Sequence, residues 1–306
     1  MEALQSLLQQ TINGVQIGSV YALIAVGYTM VYGVLRFINF AHGDVYMLGA
    51  YMGFFAISTV LSHQSPLLQG ILGLMVCMIG CAIVGVIIER AAYRPVRKSG
   101  RLTALITAIG VSLLLENGSQ AALQAKPRAY EIAGINQAIN IHLGSIQLSI
   151  NKGQGIVLIA AVLLTILLVY IVRRTTIGKA IRAVSFDRDA ATLMGINTDT
   201  VITLTFALGS ALAGAAGLLN HGLTRQTFEP LIGVTLGLKA FIAAVLGGIG
   251  NIGGAVLGGL LMGLSEAFVG SSSLSSFRDA FAFVILIVVL MFRPAGLLGK
   301  NVVEKV

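Results

Sequence analysis

The chain has 306 residues, of which 56% are hydrophobic and only 10% charged, and it carries a formal net charge of +8. An ordinary soluble domain is about 25% charged, and a water-facing surface on a chain of this size cannot hide so much apolar area. With a mean hydropathy of +0.90, the composition excludes a soluble fold and predicts an all-α polytopic membrane protein. Long unbroken runs such as 155–172 also lack the alternation of barrel strands.

At 1.5 Å of rise per residue, about 20 apolar residues cross a hydrocarbon core of about 30 Å. Runs on that scale lie at 11–35, 44–62, 67–88, 102–123, 154–172, 199–219, 235–249, 252–270 and 277–293. They predict eight or nine transmembrane helices. The glycine-interrupted stretches 44–62 and 235–270 read as broken helices, which either span or enter and leave on one side. The segment before Arg36 has no Lys or Arg, unlike a cleavable signal peptide, so the first run is expected to be a permanent membrane segment.

Cys77 and Cys81 lie four apart on one face of the third run. They read as two small buried hydrophobes, since two cysteines do not make a zinc site by themselves. No metal, cofactor or catalytic residue is expected anywhere in the chain.

The bases are unevenly spread. Arg90, Arg94, Arg97, Lys98 and Arg101 fill one connection, and Arg173, Arg174, Lys179, Arg182 and Arg188 fill another. With Arg36, Arg293, Lys300 and Lys305 they make fourteen of the twenty Lys and Arg residues. All fourteen fall on one side when the N-terminus is outside and the C-terminus cytoplasmic, as the positive-inside rule prefers. This clustering argues against nucleic acid as the partner of the positive charge. The stretch 124–153 becomes the largest outer, periplasmic loop. Its alternation at 141–150, with a turn at Gly144-Ser145, predicts a small β-hairpin, the alternative being a simple tether.

Gly43, Gly49 and Gly53 share their spacing with Gly253, Gly259 and Gly263, a candidate trace of the inverted repeats from which transporters are often built.

Motifs for chemistry are mostly missing. Gly178-Lys179 is followed by Ala180 and Gly299-Lys300 by Asn301, so there is no phosphate-binding P-loop. The G-x-G-x-x-G at 248–253 follows an apolar helical run rather than a βαβ unit, and reads as a flexible kink with close helix packing. The informative stretch is the cytoplasmic loop 173–199. It predicts two short helices, one around 177–185 and a second that starts at an Asp187 N-cap and stops at Gly195 as a left-handed C-cap. Ala190 and Ala191 would let another surface approach within backbone distance.

Asp189-Ala190-Ala191 followed by Gly195 resembles the coupling motif of ATP-binding-cassette importer permeases, with Asp in place of Glu. The segments I-N-F-A-H-G-D-V-Y-M-L-G-A-Y (38–51), L-M-G-I-N-T-D (193–199), G-G-I-G-N-I-G-G-A-V-L-G-G (247–259) and F-R-P-A-G-L-L-G (292–299) are more specific. They resemble the shorter, LivH-type subunit of branched-chain amino acid importers, and the similarity covers essentially the whole chain. The resemblance implies a single permease domain over 1–306 in a bacterial inner membrane, carrying leucine, isoleucine and valine. It also implies a second, LivM-type permease, two ATP-binding subunits that hydrolyse the ATP, and a periplasmic substrate-binding protein. Asp187, Asp189, Ala190, Ala191 and Gly195 would then couple this chain to an ATPase.

Polar groups inside membrane segments are costly and so are functional candidates. Asn39, His42 and Asp44, at the first glycine break, are the first candidates for a substrate pathway, with Glu116 further on. The alternative is that His42 and Asp44 lie at the cytoplasmic boundary and cap a helix. Lys239 and Glu266 are expected to pair between neighbouring helices. Two other functions remain open: a permease for another small polar solute such as urea or an amide, and a stand-alone secondary transporter. A self-sufficient carrier has no use for a docking helix, which disfavours the second.

Overall fold

The computed structural model describes residues 2–299 apart from 98, 133, 136, 144 and 145. Its helices are α1 (Glu2–Leu35), α2 (His42–Phe55), α3 (Pro66–Ile88), α4 (Arg94–Val96), α5 (Arg101–Leu123), α6 (Lys152–Arg174), α7 (Thr176–Phe186), α8 (Arg188–Leu193), α9 (Thr198–Gly222), α10 (Ile232–Gly247), α11 (Ile252–Gly270) and α12 (Arg278–Phe292). Strands β1 (Ala138–Leu143) and β2 (Ile146–Asn151) pair antiparallel with Leu143 opposite Ile146. The expected hairpin forms; its turn at Gly144-Ser145 lies outside the described residues, as do Lys98, Lys300 and Lys305 of the expected basic face.

Among the described residues seven helices are long and apolar enough to cross a membrane: α1, α3 continuing to Val96, α5, α6, α9, α11, and α12 with the turn before it. The other two apolar segments, α2 and α10, have only 14 and 16 residues. Local chemistry sets several boundaries. Pro66 opens α3, where its missing N–H costs nothing. Asn151 and Gln154 form a reciprocal capping box at α6, and Asn197 and Asn251 accept N–H bonds at the starts of α9 and α11. A π-helical stretch, Glu89–Tyr93, ends α3 and turns both Glu89 and Tyr93 inward.

The packing centre is α1. A Cβ on its Gly18 would stand 2.8 Å from the Cα of Leu260, so α1 and α11 touch backbone to backbone, as small residues allow in membranes. Cys77 and Cys81 are buried and free. Their thiols point at the carbonyls of Gly49 and Val45, at 3.3 and 3.4 Å, and tie α3 to α2. The first and last described segments lie on opposite faces. Gln5 donates to the Gln147 carbonyl of the hairpin at 2.7 Å. On the other face Arg36 donates to the Ser185 carbonyl at 2.8 Å, and the tail pairs with the end of α10 through Leu297 N–H and Leu246 O, 2.8 Å apart.

The broken helices decide where function can sit. After Leu35 the chain turns at Arg36 (φ 59°) and climbs back without helix to His42. The His42 ring then lies against Gly27, about 12 Å of helix above Leu35. There α2 meets α10 start to start: a Cβ on Gly237 would stand 2.8 Å from the Cα of Gly43. From this mid-depth junction α2 runs to one face and α10 to the other. The repeated glycine spacing serves two different contacts, since Gly49 packs on Gly214 of α9 while Gly259 packs on Ala22 of α1.

Candidate functional site

Asp44 occupies the first turn of α2 and is 1% exposed. Its Oδ2 accepts a 2.5 Å hydrogen bond from Ser112 of α5, about 16 Å of helix beyond Arg101. Asp44 therefore lies near the middle of a membrane-crossing bundle. The alternative of a cap at the cytoplasmic boundary does not describe it, and the N-cap residue Ala41 makes no side-chain cap. Its Oδ1 has no hydrogen-bond partner and faces the start of α10, where a Cβ on Gly233 would stand 2.7 Å away. Two helix N-termini, each with partial positive charge, converge on this carboxylate.

The Ser112 hydroxyl also lies 3.2 Å from Glu116 Oε1. One hydroxyl has one proton to give. Both contacts are hydrogen bonds only when one carboxyl is protonated. A cationic donor arriving between the two carboxylates would remove that requirement. Asp44 and Glu116 thus come together through Ser112, a residue the sequence reading missed although it stands one helical turn before Glu116.

Asn39 and His42 sit elsewhere. Asn39 is buried and accepts from the Tyr93 hydroxyl at 2.5 Å, and His42 is wedged edge-on to Tyr28 at 4.6 Å between ring centroids. Their partners are Tyr93 of the π-helical stretch and Tyr28 of α1, whereas that of Asp44 is Ser112 of α5.

Toward the hairpin face, a cavity of about 520 Å³ reaches the first turn of α10 and is lined by Pro127, Thr227, Phe228, Glu229 and Thr235 among others. Beside it the backbones of Arg128 and Phe228 exchange two 2.9 Å hydrogen bonds. The Arg128 guanidinium rests 5.1 Å from the Phe54 ring centroid, within cation–π range. Two loops distant in sequence are thereby stapled over the junction.

On the opposite face, α7 and α8 project from the bundle. Asp187 caps α8 by accepting the Ala190 N–H at 2.9 Å. Gly195 (φ 81°) closes it, with Gly195 N–H to Thr192 O and Ile196 N–H to Ala191 O, both at 3.0 Å, the Schellman pattern. One expectation needs correction. Ala190 is exposed, but Ala191 is 4% exposed and faces the chain's own body, because the short helix must bury one side to stay folded. The outward surface is instead carried by Phe186, Leu193 and Met194, at 92, 89 and 82% exposed, beside Asp189. Large apolar side chains so exposed outside the spans mark a contact surface.

Behind this element lies an ion-pair network that the sequence did not suggest. Arg97 donates to Glu89 Oε1 at 2.6 Å and to Asp199 Oδ1 at 2.9 Å, Arg94 reaches Asp199 Oδ2 at 2.5 Å, and Thr203 donates to Glu89 Oε2 at 2.8 Å. Burial and the neighbouring Arg97 guanidinium hold Arg188 of α8 below its ordinary pKa, which places α8 in this network's field. The expected Lys239–Glu266 pair forms at 2.8 Å and is joined by Asp279 at 2.7 Å. Tyr21 donates to the other Glu266 oxygen at 2.5 Å.

Residues 10–290 match the family described as branched-chain amino acid transport system / permease component. The chain is 43% identical over 301 residues to the high-affinity branched-chain amino acid transport system permease protein LivH of Escherichia coli K12, covering 98% of this chain and 97% of the relative. It is 41% identical over 308 residues to BraD of Pseudomonas aeruginosa, a permease protein of the same description, covering 100% of both. A probable LivH of Methanocaldococcus jannaschii is 27% identical over 292 residues, 91% of this chain and 88% of the relative. No solved structure gives a significant match.

Proposed function

This chain belongs to the branched-chain amino acid transport permease family, and we propose that it is one of two different permease subunits of an ATP-driven importer of leucine, isoleucine and valine. A periplasmic binding protein delivers the solute, a LivM-type permease completes the pore, and two ATP-binding subunits hydrolyse ATP; this chain catalyses no reaction itself. The hairpin and N-terminus face the periplasm, and α7, α8 and the C-terminus face the cytoplasm of a bacterial inner membrane.

The observation that carries the reading is the mid-depth junction, where buried Asp44 keeps Oδ1 unpartnered. An amino acid in transit supplies an ammonium that donates to Asp44 and Glu116, while the N–H groups at the start of α10 favour its carboxylate. The apolar side chain passes along Ile109 and Leu113 of α5, which are exposed on the same face. Two contacts relay movement from the ATPase. Arg36, held to Ser185 at the end of α7, starts the strap that leads to Asp44. The Arg97 network ties the ends of α3 and α9 to the ground behind α8.

Purification in gentle detergent from the native membrane, followed by mass spectrometry, tests the assembly. Two P-loop ATPases and a second permease are expected. A chain that emerges alone and moves solute in liposomes without ATP overturns the reading. Gly195→Val, strained by the left-handed backbone, should leave the chain inserted and lower leucine uptake about tenfold, a change of about 1.4 kcal/mol. Unchanged uptake would discard the coupling role of 187–195.

A further inference from the structure

A second polar cavity, of about 320 Å³, lies far from the mid-depth junction, between α1, α6, α11 and the start of α12. Its walls include Gln10, Asn13 and Gln16 of α1, Gln154 of α6, Glu266 of α11 and Arg278 of α12. About 30 Å of helix separates Gln16 from Arg36, so the cavity sits at the boundary on the hairpin face.

Three features set it apart from a water-filled cleft between helices. The Gln16 amide nitrogen is buried with no hydrogen-bond partner, in a residue 5% exposed. Arg278 makes no ion pair among the described residues, its guanidinium lying over Gly270. The acids around Lys239 outnumber it, since both Glu266 and Asp279 pair with that one ammonium. The cavity therefore offers an unused donor on Gln16, the unpaired guanidinium of Arg278 and, at Glu266, two oxygens that hold one partner each and keep a further lone pair. That is the complement of a small zwitterion.

We infer that this cavity is a second solute site, which stages the zwitterionic head of an α-amino acid at the periplasmic boundary before it enters the pore. The carboxylate pairs with Arg278 and Gln16, and the ammonium with Glu266. The choice of an amino acid rests on the import reading above; the polarity of the cavity does not. A polar route leads inward. Gln226, on the cavity wall, accepts from Asn220 at 3.3 Å, and Asn220 donates to the Tyr46 hydroxyl at 2.9 Å. Tyr46 lies two residues along α2 from Asp44.

Ser271 also lines the cavity, and both native cysteines are buried. Ser271→Cys in the intact transporter, in right-side-out vesicles, therefore reports through a membrane-impermeant maleimide. Saturating leucine should slow labelling about threefold or more by occupancy. Neither Arg278→Ala nor Gln16→Leu, each combined with Ser271→Cys, should show the slowing. Thr59→Cys, beside a different cavity, should show none.

Labelling that leucine does not slow overturns the site. So does equal slowing at Thr59→Cys, or slowing that survives both cavity variants. Protection without leucine uptake would keep the site and discard the import reading, whereas uptake without protection would discard the site alone.

Discussion

Lys239, Glu266 and Asp279 form a fully paired cluster, which lends the neighbouring cavity only the spare lone pairs of Glu266, whereas Asp44, Ser112 and Glu116 form an open one. Both place charge within the membrane-crossing part of the chain. In the first, one ammonium is held between two carboxylates at 2.8 and 2.7 Å, and Tyr21 takes up the remaining Glu266 oxygen. It joins α1, α10, α11 and α12. For α12, which exposes most of its surface, it is the strongest polar attachment among the described residues. In the second, one carboxylate oxygen is left bare and one hydroxyl serves two acids. A paired cluster holds helices in place. An open one keeps capacity for a cation that comes and goes.

The largest test of this contrast is Lys239→Met. It leaves the buried Glu266 carboxylate without its ammonium, Asp279 being 72% exposed, and should cost about 3–5 kcal/mol of stability, read as a lower melting temperature in detergent. Restoration by Lys239→Met with Glu266→Met would confirm that the cluster is structural. Gly233→Val comes next, because its side chain would collide with Asp44 Oδ1 and the Gly43 carbonyl. Uptake should fall about 100-fold, the equivalent of about 3 kcal/mol of overpacking, and wild-type transport would remove the junction from the pathway.

Asp44→Asn keeps the shape and the Ser112 contact but removes the charge. Leucine uptake should drop about tenfold, or about 1.4 kcal/mol, with little change in melting temperature. A large loss of stability with normal uptake would make Asp44 a second structural acid and erase the contrast. The smallest effect belongs to Glu116→Gln on the half-exposed side of the same site. About a threefold rise in KM, or about 0.7 kcal/mol, with kcat unchanged would place Glu116 at the edge of the path.

Much of the architecture was legible in the residues. Nine apolar runs became nine helical segments. The Asp187 cap fell where a short acceptor can satisfy free N–H groups, and the hairpin followed its alternation. The short helix α8 was readable down to its two caps, because Asp187 and Gly195 act within a few residues of themselves. The functional interior was less so. Ser112 is an ordinary polar residue in an apolar helix, and only Glu116 one turn away hints at it. Gly233 is one of 37 glycines, and nothing local distinguishes it from those that pack helices. Ala191 reads as exposed by its motif, yet a helix as short as Arg188–Leu193 buries it.

The sequence alone determined that the chain crosses a membrane, where its bases cluster, and which stretches are helical, though α1 starts at Glu2 rather than near residue 11 and α2 stops at Phe55. Those properties depend on transfer free energies and hydrogen bonds within one or two turns. Tertiary structure alone decided that α2 and α10 begin at the same depth, that Asp44 meets Ser112 across 68 positions of chain, and that Phe186, Leu193 and Met194 face outward. Each of these is a matter of which surfaces meet after the chain folds back on itself. In a bundle where nearly every helix is apolar on all sides, hydrophobic pattern does not choose between neighbours. The close approach of glycines and a few buried polar contacts make that choice.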